Sequence, residues 1–312
     1  MSHKNSGLTL QERIYWRPFE ITNSGSGALV EIPSLHRLKI SSKILSASLW
    51  IIASALVIYL FPLWLFSVVI TGLICIALIE LFKLARDHKI PIHIWTGMTF
   101  GISIPIATYL VGSKIIPLGS LVELDGVLLV TILFSLFVAQ STRRENTRAL
   151  AIVGVTFIAV FYISWLFSFL IKLRVLPQGC HLVAYLLLVA KGSDVGGYLI
   201  GSRFGRHHLI PRISPNKSVE GFWGGLLVSC IAAYFCQLIL PMVPLWHLLL
   251  TGVVLGGISQ FGDLAESIIK RDCQVKDSGS LIPGIGGIMD LIDSLLLSAP
   301  LFYYWVIWGW KL

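Results

Sequence analysis

Between residues 263 and 293 the chain gathers acids and bases suited to handling phosphates. Asp263, Glu266, Ser267 and Lys270 recur at i, i+3, i+4 and i+7, which puts them on one face of a helix. Asp290 and Asp293, three apart, fall on the first turn of a later apolar helix. Between them lies a segment with Gly279, Gly284, Gly286 and Gly287, which also carries Lys276 and Asp277. Carboxylates this close repel one another, and a bound cation is the ordinary remedy. Oxygen donors select a hard ion such as Mg²⁺, which commonly brings substrate phosphates with it. Asp263 and Asp290 are the first metal-ligand candidates, with Asp277 and Asp293 next. Lys270, Arg271 and Lys276 would hold phosphate oxygens. The bland alternative is a solvated charged loop. Against it stand the glycine spacing and the two acids that enter an apolar run.

Two further segments carry polar groups. In Ser214-Pro-Asn-Lys217-Ser-Val-Glu220 the Ser-Pro pair reads as a helix opening with Glu220 in the first turns. Helix-start amides, a hydroxyl and a lysine make a seat for a phosphate, although a well-capped helix alone would look the same. Lys191 and Asp194 lie in or at the end of an apolar stretch. Ionisable groups at membrane depth are expensive and usually face a polar cavity, so the pair reads as a cavity wall, with a helix-end pair reaching to the interface as the bland alternative.

The elements that must position these groups are membrane helices. Of 312 residues, 55% are hydrophobic and only 13% charged, against about 25% charged in ordinary soluble domains. That excludes disorder, a disulfide-stapled miniprotein and an ordinary soluble enzyme. The predicted class is all-α, a polytopic bundle of about nine spans: 44–61, 63–82, 92–111, 121–140, 149–171, 180–200, 221–240, 245–262 and 291–310. Residues 201–220 and 263–290 are read as polar loops. With the N-terminus inside, cytoplasmic segments hold 19 Lys and Arg against 4 outside, which favours N-in, C-out. Charge placed this way orients spans and does not point to nucleic acid, despite a net charge of +8. Five cysteines without C-x-x-C spacing argue against both a disulfide framework and a zinc site. Residues 1–43 are polar and basic with no apolar h-region, so no cleavable signal peptide is expected. The expected organisation is a cytoplasmic segment 1–43, N-terminal transmembrane helices 44–178 and a catalytic transmembrane region 179–312.

The pattern Ser267-x-x-Lys270-Arg271-x4-Lys276-Asp277-x-Gly279-x3-Pro283-x-x-Gly286-Gly287-x-x-Asp290-x-x-Asp293 resembles the signature of CDP-diacylglycerol synthases, the phosphatidate cytidylyltransferases. The stretch from Asp194 to Gly225, with its Arg-x-Ser-Pro-x-Lys-Ser-x-Glu-Gly core, resembles the preceding part of the same family. The resemblance covers roughly residues 185–300. It implies an enzyme that joins CTP and phosphatidate into CDP-diacylglycerol and pyrophosphate. It also implies a Mg²⁺ requirement, with K⁺ as a candidate second cation. Ser214, Lys217, Glu220, Ser267 and Asp194 would line the nucleotide or phosphate seat. The bilayer is the other partner, the active site would face the cytoplasm at the cell membrane, and a homodimer is a candidate assembly. Two positions depart from the family pattern: Ile285 stands where His is usual, and Leu291 where Arg is usual. His207, His208 and Arg271 are candidates to replace them. The alternatives are a CTP-dependent enzyme acting on another lipid (a polyprenol kinase or CDP-archaeol synthase type), a secondary transporter and an inactive scaffold.

Overall fold

The computed structural model describes residues 52–116, 121–143, 148–275, 277–279 and 286–310. Eight helices among them are long and apolar enough to cross a membrane. In chain order they are α1 (Leu63–Asp87), α2 (Ile94–Gly112), α3 (Leu121–Ser141), α4 (Ala149–Val175), α5 (Gly179–Phe204), α6 (Val219–Phe235), α7 (Leu245–Asp272) and α8 (Ile288–Trp305). A π-helical turn, Val160–Trp165, lies inside α4. The protein is a polytopic helical bundle, as the composition requires. Of the predicted first span, 44–61, residues 44–51 lie outside the described residues, and 52–60 is helical.

Two differences from the sequence reading bear on the site. Helix α7 does not stop at 262 but runs on to Asp272, because the polar residues that follow continue the same helical face. The Ser-Pro segment does not open a helix. Ser214–Ser218 is a strand, β2, paired antiparallel with β1 (His208–Ile210), with His208 opposite Ser218 and Ile210 opposite Ser214. The pairing satisfies backbone groups that a helix start would have left open. Ser218 then caps α6 by accepting the Gly221 amide at 3.1 Å.

The core is a layer of large apolar side chains shared by α1, α4, α5 and α8. Phe66, Ile74 and Leu78 meet Phe167 and Phe169, Tyr185 and Leu186, and Leu296 and Phe302, all essentially inaccessible. Large apolar side chains such as Val130 and Phe134 on α3 and Leu227 on α6 face outward. In a bilayer that is where lipid sits, so no patch remains to be explained. Helices α5 and α6 approach through small residues: a Cβ on Gly196 would stand 2.6 Å from the Gly224 carbonyl oxygen. Alternation of the spans puts the ends of α1, α5 and α7 and the starts of α6 and α8 on one side.

Candidate active site

Helices α7 and α8 build the centre of the site. The close approach that joins them is at Gly262, where a Cβ would lie 2.6 Å from the Asp293 carbonyl oxygen. With no side chain there, the next residue, Asp263, is brought level with Asp293. One carboxylate oxygen each from Asp263, Glu266 and Asp293 lies within 4.8 Å of the others. Glu266 is fully buried and Asp293 is 6% exposed. Glu266 Oε2 accepts from Lys270 Nζ at 2.6 Å, while its Oε1 is buried without a partner. Tyr162, from the π-helical turn of α4, brings a buried hydroxyl with no partner within electrostatic range of the same three acids.

Three lysines surround the acids. Lys217 on β2 pairs with Asp263 at 2.6 Å and donates to the Gln260 carbonyl at 3.4 Å. Lys270 bridges Glu266 and Asp290, at 2.6 and 2.7 Å. Lys191, midway along α5, pairs with Asp194 at 3.1 Å and donates to Ser294 Oγ on α8 at 2.8 Å. Lys191 and Asp194 therefore belong to the polar centre and not to a helix end. Six carboxylates (Glu80, Asp194, Asp263, Glu266, Asp290, Asp293) face three lysines, three more acids than bases among the described residues at this locus.

Asp290 has a different environment from its neighbour one turn on. Its Oδ1 meets Lys270. Its Oδ2 accepts the Gly287 amide at 2.7 Å, the Ser278 hydroxyl at 2.9 Å and the Ser278 amide at 3.1 Å. Those bonds cap α8 and tie it to the preceding segment. Gly286 sits at φ +122, in the region that favours glycine, and a Cβ there would strike Asp290 Oδ2. The turn and the acid are fitted to one another.

The remaining predicted residues are spread around this centre. Glu220 accepts the Arg206 and His207 amides and His207 Nδ1, at 3.0, 3.3 and 2.7 Å. It closes the base of the hairpin, and His207 is 78% exposed at the side chain. His208 is exposed. Arg271 donates to the carbonyls of Ile213 and Val275, joining the hairpin to the segment after α7. Ser214 opens β2 and Ser267 lies half-buried on α7; Asp277 is exposed. Lys276 and Ile285 lie outside the described residues. Leu291 packs against the apolar core, so the position where the family usually has Arg contributes packing. The carboxylate group of the structure includes Glu266, which the spacing placed on the right helical face but did not single out. Gln260 was not anticipated either; its side-chain amide donates to Ser193 Oγ and to the Phe222 carbonyl, both at 3.1 Å. An apolar cleft lined by Leu209, Ile210, Phe222, Phe261 and Leu264 adjoins it.

The cytidylyltransferase family profile matches residues 41–308. The chain belongs to the cytidylyltransferase family. It is 34% identical over 244 residues to the phosphatidate cytidylyltransferase of Bacillus subtilis (strain 168), covering 77% of this chain and 87% of that protein. It is 40% identical over 144 residues to the phosphatidate cytidylyltransferase of Staphylococcus saprophyticus, and 37% identical over 151 residues to the uncharacterized protein YnbB of Escherichia coli (strain K12). The chain covers about half the length of each of those two, 55% and 50%, and they cover 46% and 48% of it. As a cytidylyltransferase it is an enzyme of the nucleotidyl-transferring class embedded in a membrane. The polar centre among α5, β2, α7 and α8 is where such chemistry can be housed.

Proposed function

We propose that the protein transfers the cytidylyl group of CTP to phosphatidate, giving CDP-diacylglycerol and pyrophosphate. The single observation that carries this reading is the cluster of oxygen donors at Asp263, Glu266 and Asp293, ringed by Lys191, Lys217 and Lys270. Relatives named phosphatidate cytidylyltransferases support the choice of lipid.

The donor set fits a divalent cation. At about 4.8 Å, two ionised carboxylates repel by roughly 3–4 kcal/mol at an effective dielectric of about 20. Glu266 Oε1, buried and unpartnered, is oriented by Lys270 on its other oxygen and left open toward an ion. Asp263, Glu266 and Asp293 would hold the metal. Asp290, with both oxygens engaged, would set the helix that carries Asp293. A bound Mg²⁺ would supply charge neutralisation between the triphosphate and the lipid phosphate.

In the transfer, an anionic oxygen of phosphatidate attacks the α-phosphorus of CTP. The bond from that phosphorus to the bridging oxygen breaks, and its electron pair leaves with pyrophosphate. The lipid phosphate is already ionised near neutrality, so no catalytic base is needed. The difficulty is bringing anions together, and fixed cations offset it. Lys217 and Lys270 stand beside the acids and can exchange a carboxylate contact for a phosphate one. Lys191 and Asp194 would bound the site on the opposite wall, with Ser214 and Ser267 near the nucleotide phosphates. The excess of Lys and Arg in the segments read as internal supports a site open to the cytoplasm.

The test is label transfer. Purified protein in detergent receives phosphatidate, Mg²⁺ and radiolabelled CTP. Label entering the lipid phase only when both phosphatidate and Mg²⁺ are present is expected. Label that enters another lipid acceptor but never phosphatidate would overturn the proposed substrate. No label with any acceptor, in folded protein, would overturn the reaction.

A further inference from the structure

The N-terminal helices gave no chemical signal in the sequence, yet α1 sends one buried carboxylate into the site. Glu80 is 6% exposed. Its Oε1 accepts the Ile288 amide at 3.0 Å and its Oε2 the Met289 amide at 2.9 Å. The Ser278 hydroxyl lies 3.4 Å from Oε2. These are the first two amides of α8, which otherwise have no partner within their helix. Asp290 takes the amide before them, at Gly287. Two carboxylates from opposite ends of the chain thus share the start of one helix, where its dipole favours negative charge. The glycines around them leave room for this: a Cβ on Gly279 would stand 2.8 Å from Glu80 Oε1, and one on Gly287 would meet both Glu80 and Ser278.

We infer that Glu80 is a positioning residue that fixes the height and rotation of α8, and through it the place of Asp293 opposite Asp263 and Glu266. Both Glu80 oxygens are used in a fork across consecutive amides, so the helix can neither slide nor turn without breaking one bond. Because Glu80 takes Ile288 and Met289, Asp290 keeps one oxygen free for Lys270. A donor set that must close on an ion tolerates displacements of only about 0.5 Å, and Asp293 is little more than one turn beyond the anchored amides. The inference of an effect on turnover rests on the cytidylyl-transfer reading; the inference about the helix does not.

The experiment separates the two. Glu80→Gln retains one acceptor oxygen but turns an NH₂ toward the second amide. In full-length protein in detergent, hydrogen–deuterium exchange of peptides spanning 286–293 is expected to quicken at least tenfold in Glu80→Gln, with the rest of α5 and α7 unchanged. In the label-transfer assay kcat is expected to fall about 30-fold, with KM for CTP within about threefold. The Mg²⁺ concentration for half-maximal rate should rise. Glu80→Asp, which keeps the charge and both acceptors, should recover part of kcat. Exchange that stays at the wild-type rate over 286–293, or quickens equally throughout the bundle, would overturn the positioning role whatever the assay gives. Faster local exchange with an unchanged kcat would overturn the link to Asp293. Absence of activity in the wild type would count against the reaction and leave the exchange result standing.

Discussion

Among the described residues two sets of buried charges stand out, and they differ in charge balance. On the N-terminal helices Lys172 of α4 is fully buried against Asp125 of α3, with its ammonium group 4.0 Å from the centre of the Phe169 ring and 5.8 Å from that of Tyr303. One cation meets one anion and aromatic faces close around them. At the other end of the bundle six carboxylates, Glu80 among them, meet three lysines, and helix ends open around the set. A pair that balances its own charge in a low-dielectric interior fixes how two helices meet. A set that does not balance carries internal repulsion that a bound cation relieves. The contrast locates the chemistry without reference to any relative.

Substitution separates the two sets. Asp293→Asn removes one negative charge from the unbalanced set. Turnover should drop on the order of 10³-fold, while the metal-free protein should melt higher, since repulsion is relieved. Activity together with a thermal melt in EDTA reads both, and a lower melting temperature would break the comparison. Lys172→Met acts in the opposite sense. It strands Asp125 and should destabilise by about 3 kcal/mol or more, with kcat of the surviving folded protein within about threefold. Adding Asp125→Leu should restore most of the stability. If the double variant is no better than the single one, the balanced-pair description fails.

A gentler probe sharpens the same contrast. Saturating Mg²⁺ at about 100 times its dissociation constant should stabilise the wild type by about 2.7 kcal/mol and Asp293→Asn by no more than about 0.9 kcal/mol. Equal stabilisation of both would place the ion elsewhere. The smallest effect belongs to Asp272, an exposed acid at the end of α7 outside either set. Asp272→Ala should change stability by less than about 0.5 kcal/mol and turnover by less than twofold. A large loss there would mean that charge as such, and not its place, controls the enzyme.

Much of this was legible in the residues. The spans follow from apolar runs. The helical face of Asp263, Glu266 and Lys270 follows from a period of 3.6, and Asp290 and Asp293 announce themselves as acids entering an apolar helix. What the residues could not give is who meets whom. Asp290 and Asp293 look alike at i and i+3, yet one accepts three capping donors and the other faces Asp263 and Glu266. That division depends on the turn at Gly286, which is a matter of backbone path. Glu80 was invisible for another reason: its partners are backbone amides more than 200 residues away, and amides carry no sequence signal. The available hint was an acid inside an apolar span, which seldom lacks a purpose. The Ser214-Pro pair misled because local helix-start chemistry and strand pairing use the same residue types, and only the partner strand at His208–Ile210 decides between them.

The central claim is that Asp263, Glu266 and Asp293 bind a divalent cation for the transfer. Mn²⁺ is the direct probe, since its paramagnetic resonance signal disappears on binding and can be titrated in detergent without substrate. The account predicts that the wild type binds Mn²⁺ and that Mg²⁺ displaces it. Glu266→Gln and Asp293→Asn should each weaken binding at least 30-fold, and Asp272→Ala should bind as the wild type does. Wild-type affinity retained in both Glu266→Gln and Asp293→Asn would contradict the account.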